Sequence, residues 1–343
     1  MQAIIAKIGK GPKTSKDLTW EESKQAMRAL IEGQVTPVQT GAFLLAMRMK
    51  MESVSELAAF TAAAREYVTP VAVPRSLPLV DVPTYAGKQD TFHALTAAAI
   101  IAAAGGAAVL MHGHEGPSDR VPTASVLAGL GIPVDSDAGY VAKELTAKGF
   151  AYLDIALYHP PIARFLDLRA ELGIRNVFHP IAKMLNPARA RTQVIGISHP
   201  PYFEKVAEAL KMLGANRALV IRGVEGEPEL SLAAMTRVLE LRDERILPLS
   251  LQPKDVALTM GTYPVMAACA PEQEASLLRR ILAGEVQGGQ RDWVVMNAAM
   301  LLYAAGKAGS IAAAVPLAQR ALESGAAAQK LAELAGSKQP THA

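Results

Sequence analysis

Residues 94–111 read ALTAAAIIAAAGGAAVLM, an uncharged run of 18. Its length raises a membrane question. Half of it is alanine, and Gly105-Gly106 interrupts it, so its insertion into a bilayer would be poor. A glycine pair ends a helix readily. The run therefore predicts a buried helix over the first part and a buried strand from Ala107 to Met111. A buried helix feeding a buried strand is the unit of an α/β fold.

The pattern extends outward from there. Gln193 to Ile197 and Ala218 to Ile221 are further strand candidates, and Tyr202 to Leu213 reads as a helix between them. Such alternation predicts a mostly parallel sheet with crossover helices. Upstream, the first 70 residues predict helices with explicit start signals. Thr19-Trp20-Glu21-Glu22, Thr36-Pro37-Val38-Gln39 and Ser53-Val54-Ser55-Glu56 are capping boxes, with Pro37 at the favoured first helical position. Gly33 is placed to end a helix. Pro70, Pro74 and Pro78 mark a stiff linker. The chain from Glu272 onward reads as helical again.

Composition bounds the function classes. At 343 residues the chain exceeds what one core usually serves. Half of it is apolar, which excludes long disorder. The single cysteine, Cys269, excludes an internal disulfide and a multi-cysteine zinc site, and fits a reducing, cytoplasmic setting. The start, MQAIIAKIGKGPK, lacks the apolar core of a signal peptide. Net charge is only +3, but it is uneven. Residues 159–191 carry Arg164, Arg169, Arg175, Lys183, Arg189 and Arg191 against Asp167 and Glu171, and residues 1–70 carry nine basic and seven acidic side chains. His112 and His114 flank Gly113, but with only Glu115 nearby they make a poor metal site. His93, His159, His179 and His199 read as cap, turn or core residues.

Several segments resemble the anthranilate phosphoribosyltransferase family, glycosyltransferase family 3. They are Gly41 to Arg48 with Met49-Lys50, Glu171 to Phe178 with Leu185-Asn186-Pro187, and Asn297-Ala298-Ala299 followed by Tyr303 to Lys307. The resemblance runs in order along nearly the whole chain. It implies an α/β fold of the nucleoside phosphorylase/phosphoribosyltransferase type: a small helical domain plus a larger domain with a mostly parallel sheet flanked by helices. The helical, dimerising domain would comprise residues 1–70 with about 158–190. The α/β domain would comprise about 76–157 with 191–335. A homodimer through the helical domains is implied.

The family moves ribose 5-phosphate from phosphoribosyl pyrophosphate, with magnesium, to an amine. Its donor loop, G-T-G-G-D-G, falls on Pro83, Thr84, Tyr85, Ala86, Gly87 and Lys88. Proline has no amide to donate, and tyrosine adds bulk where backbone must approach phosphate. The family's Asn and Ser fall on His93 and Leu95, and only Thr96 matches. Its K-H-G-N-R falls on Met111, His112, Gly113, His114 and Glu115. Its magnesium-binding D-E pair falls on Pro228-Glu229, which leaves Glu229 as a weak relic. Arg169 matches the arginine that the family uses for anthranilate.

Val82 to Tyr85 with Gly87-Lys88, His112-Gly113, Arg120-Val121 and Glu225-Gly226-Glu227 resemble a divergent YbiB-like branch, whose members bind nucleic acid as homodimers without sequence preference. That resemblance implies a nucleic-acid-binding homodimer with no catalytic residues, no cofactor and no membrane partner. Lys10, Lys13, Arg164, Arg169, Arg175, Lys183, Arg189 and Arg191 would contact backbone phosphates. Thr84, Gly87, Lys88, Thr96, His112, Gly113 and His114 would form a residual phosphate pocket. The alternative expectation is a phosphoribosyltransferase or other glycosyltransferase with an altered donor pocket, an unknown acceptor and magnesium.

Overall fold

The computed structural model describes residues 1–11, 13–85, 87–116, 120–222, 229–262 and 267–336. Pro12, Ala86, Glu225-Gly226-Glu227 and Pro228 lie outside them.

The chain opens with four helices, α1 (Gln2–Ile8), α2 (Trp20–Ile31), α3 (Pro37–Lys50) and α4 (Val54–Arg65). Thr19, Thr36 and Ser53 each accept from the backbone N–H three residues on, and the N3 Glu or Gln reaches back, so all three capping boxes form. Then come β1 (Leu79–Thr84), α5 (Ala94–Ala104), β2 (Ala108–Gly113), α6 (Thr123–Gly129), α7 (Ala138–Lys148) and β3 (Phe150–Asp154). The chain next returns to the helical lobe as α8 (Ile155–Tyr158), α9 (Pro160–Leu172) and α10 (Phe178–Lys183). It goes on through β4 (Thr192–Gly196), α11 (Tyr202–Met212), β5 (Arg217–Arg222), β6 (Thr236–Arg242) and β7 (Arg245–Leu251). Helices α12 (Pro271–Leu282), α13 (Gly289–Ala304), α14 (Ile311–Glu323) and α15 (Ala326–Ala335) complete it.

Among the described residues seven strands form one sheet in the order β3-β2-β1-β4-β5-β6-β7, parallel from β3 to β5. The run at residues 94–111 is the expected helix and strand: α5 and β2 are buried along almost their whole lengths. Small alanines let α5 lie against α13 and the sheet. No helix among the described residues is long and apolar enough to cross a membrane. The antiparallel hairpin of β6 and β7 extends the sheet beyond the predicted strands.

Side chains alternate across the sheet. Val80, Val82, Val109, Met111, Leu219 and Ile221 face one core with α5, α6 and α12 to α15. Leu79, Leu110, Leu153, Ile195 and Val220 face the other. Both faces are covered, as parallel sheets require. The helical lobe shares this second core: Met27, Phe43, Phe60 and Phe178 pack continuously with the sheet residues.

Candidate active site at the carboxyl ends of the strands

In an open α/β sheet, ligands bind beyond the carboxyl ends of the strands. Here Thr84, Gly113 and Asp154 end β1, β2 and β3 in register. A Cβ on Gly113 would meet the Tyr152 hydroxyl at 2.8 Å and Thr84 O at 2.9 Å, so only glycine fits. The Thr84 hydroxyl donates to His112 O at 3.2 Å.

The position of the donor loop is filled by protein. Lys88 is buried, and its ammonium donates to Phe92 O at 2.7 Å and to Glu229 Oε2. Glu229 Oε1 accepts from the Leu95 N–H at 2.8 Å. His93 sits on Glu274, its Nδ1 2.6 Å from Oε1. The cavity left among Thr84, Lys88, Thr96 and Glu229 is about 30 Å³. That is space for a water or two, far below the few hundred cubic ångströms of a small-molecule site. Lys88 and Thr96 of the expected phosphate pocket thus line space too small for a sugar phosphate. The residues also do not fit the magnesium that the family resemblance implies, since both Glu229 oxygens already have partners.

His112 and Tyr85 turn the other way, into a buried polar seam. The Tyr85 and Tyr158 hydroxyls each lie 2.9 Å from His112 Nδ1 and 2.5 Å from one another. Burial holds both phenols well above their ordinary range, so they stay protonated. His112 Nε2 lies 3.1 Å from Asp81 Oδ1, off the angle of a hydrogen bond. His112 is fully buried and therefore leaves the expected phosphate pocket.

The open space lies beside this region, in two cavities. One, of about 320 Å³, is lined by Arg48, Arg169, Arg175, Lys183, His199 and Tyr202 among others. The second, of about 220 Å³, is lined by Tyr85, His114, Asp167, Arg169 and His179 with their neighbours. Arg169 and His179 line both. The larger lining holds four cationic side chains and no carboxylate among the described residues. Burial, followed by Arg175, Arg169 and Lys183, pushes the His179 imidazole down to about 3, so it stays neutral. His114 behaves oppositely. Asp154, 3.9 Å from Nδ1, and Asp167, 2.7 Å from Nε2, push it up to about 9, so it is cationic at neutral pH.

The basic residues named from the sequence therefore divide. Arg169, Arg175 and Lys183 converge on the larger cavity. Arg191 precedes β4 and lines a separate groove with Lys211, Arg217 and Arg242, at the amino ends of the strands. Arg189 is exposed at positive φ in the same approach to β4. Arg164 is exposed on α9, and Lys10 and Lys13 are exposed between α1 and α2; none of the three lines the cavities. Arg48, His199, Tyr158 and Glu274 were not singled out as site residues. Only Arg48 had a signal, its place in the Gly41–Arg48 signature. His159, read as a cap, turn or core residue, is buried and accepts from Ile162 N–H at 3.4 Å at the start of α9.

The glycosyl transferase family helical bundle domain matches residues 2–68, and the family's a/b domain matches residues 78–328. The chain belongs to this family. It is 34% identical to the anthranilate phosphoribosyltransferase of Methanocorpusculum labreanum over 332 residues, 96% of this chain and 97% of that one. It is 35% identical to that of Geobacillus kaustophilus, covering 97% of each. The crystal structure of anthranilate phosphoribosyltransferase from Thermus thermophilus superposes with a TM-score of 0.87 at 35% identity, over 98% of both chains. The Saccharomyces cerevisiae anthranilate phosphoribosyltransferase, solved with phosphoribosyl pyrophosphate and magnesium, shares the fold at 20% identity and a TM-score of 0.84.

These relatives overturn the expectation of a DNA- or RNA-binding protein: the near-full-length similarity is to phosphoribosyl-transferring enzymes. The physical premise fails too. A shared set of phosphate contacts needs the basic segment on one face, but β4 separates Arg191 from Arg169, Arg175 and Lys183 by its length. At about 3.3 Å per residue this is roughly 16 Å.

Proposed function

We propose that the chain is a glycosyltransferase with an altered donor pocket, which moves an activated sugar onto an anionic acceptor held between α9, α10 and the strand ends. The observation that carries this reading is the position of Arg169 on both cavities, with Arg48, Arg175 and Lys183 on the larger one. Guanidinium groups recognise carboxylate and phosphate by paired N–H donors. In the transfer, an acceptor nucleophile bonds to the anomeric carbon. The bond from that carbon to the phosphate, pyrophosphate or base breaks, and the leaving oxygen or nitrogen keeps the electron pair. The acceptor's proton passes to solvent. In the smaller cavity the His114 charge is taken up by Asp154 and Asp167, so the cation offered to a phosphate there is Arg169.

The test is a donor panel of phosphoribosyl pyrophosphate, ribose 1-phosphate and nucleosides, each with aromatic carboxylate and phosphorylated acceptors, read as release of phosphate, pyrophosphate or base. Binding of a donor or acceptor without turnover would favour a second reading, a ligand-binding protein, which the small donor pocket of about 30 Å³ supports.

Two finer assignments accompany this reading. Pro83, Tyr85 and Lys88 support membership of the YbiB-like branch, defined by the replaced loop alone. Val38, Ala42, Leu45 and Met49 form an exposed stripe along α3 and support a homodimer through the helical lobe.

A further inference from the structure

We infer that Lys88 supplies, from within the chain, the cation that the Glu229 carboxylate would otherwise take from solution, so that the donor pocket binds no divalent metal. The inference concerns the pocket itself and stands apart from whether transfer occurs.

The lysine is held in place by backbone. Its N–H donates to Val121 O at 2.9 Å, and its carbonyl accepts from Val121 N–H at 2.7 Å. Gly87, at φ 59°, turns the chain into this bridge, and a Cβ there would lie 2.7 Å from Val121 O. The ammonium then meets Glu229 Oε2, Phe92 O and the face of Trp293, whose centroid is 5.0 Å away. Glu229 is held from the other side. Its second oxygen takes the Leu95 N–H at the start of α5. The next residue, Leu230, is clamped by α13: Trp293 Nε1 donates to its carbonyl at 2.7 Å, and Asn297 Oδ1 accepts from its N–H at 2.9 Å. Glu229 therefore has no slack with which to gather a metal. Magnesium needs six oxygens near 2.1 Å and retains several waters. About 30 Å³ does not hold that shell, and a fixed ammonium would repel the ion.

Chelator-treated full-length protein is titrated with Mn²⁺, a spectroscopic stand-in for Mg²⁺, and free Mn²⁺ is followed by electron paramagnetic resonance. The expected result is no saturable site that depends on Glu229. In melting curves, Lys88→Met and Glu229→Leu each lower Tm, and the double variant melts closer to wild type than either, because an apolar pair replaces a buried ion pair with less penalty than a lone charge does. Saturable Mn²⁺ binding by the wild type that Glu229→Gln abolishes would overturn the inference. So would additive Tm losses in the double variant. If a single variant fails to fold, folding of the double variant supports the pair, and its failure as well counts against it.

Discussion

The hydroxyls of Tyr85 and Tyr158 lie 2.5 Å apart, and this contact joins the turn after β1 to the segment that enters α9. Both phenols also reach His112 Nδ1 at 2.9 Å, so the seam between sheet and helical lobe is polar as well as apolar. Tyr158→Phe removes one hydroxyl and leaves its partners underpaired in a dry site. The expected loss is about 1–3 kcal/mol, read from urea unfolding. A change within about 0.3 kcal/mol would mean that the seam is slack.

The proposed acceptor site makes ligand binding depend on Arg169, which lines both cavities. Replacement by alanine is expected to weaken an anionic ligand by about 10- to 100-fold, the scale of a charge-assisted hydrogen bond. Arg191→Ala, on the far groove, should leave it within about twofold. Equal effects of the two, measured by calorimetry with inorganic phosphate or a bound acceptor, would misplace the site.

Two histidines set opposite arms of the pH–stability curve. His179, pushed down to about 3, binds its proton more readily in the unfolded chain. Its contribution is full above the unfolded value of about 6.5 and declines as pH falls toward 3, by about 1.4 kcal/mol per unit. His114, raised to about 9, contributes fully below about 6.5 and loses that stability as pH rises toward 9. Its arm is shallower because Asp167 is two-thirds exposed. His179→Asn should flatten the acid arm and His114→Asn the alkaline arm in urea melts across this range. Unchanged arms would refute the assignments.

The α3 stripe has its own test. Val38 and Met49 are 81% and 68% exposed, on the apolar face that the proposed homodimer would cover. Leu45→Asp places a charge in the middle of the stripe. Sedimentation velocity should then show a monomer, where a dimer is expected for the wild type. A wild-type monomer at micromolar concentration would contradict the face.

What the sequence revealed was local or periodic. The capping boxes at Thr19, Thr36 and Ser53 need only four residues each, and the buried run of α5 and β2 declares itself by composition. The hairpin of β6 and β7 did not, because Asp243 and Glu244 turn at φ 50° and 59° without the glycine that usually signals such a turn. The replaced donor loop was legible at Pro83 and Tyr85. What fills it was not, since Lys88 and Glu229 are 141 residues apart. Charge along residues 159–191 looked like one surface because sequence spacing hides the strand that divides it.

The central claim is that a family transferase keeps its acceptor arginine while its donor loop is rebuilt. The most direct measurement is acceptor-dependent release of phosphate, pyrophosphate or base from the donor panel, for wild type and Arg169→Ala side by side. The predicted result is release with at least one activated sugar and an anionic acceptor, lost in the variant. No acceptor-dependent release from any donor, by a folded wild type, would contradict the transferase reading.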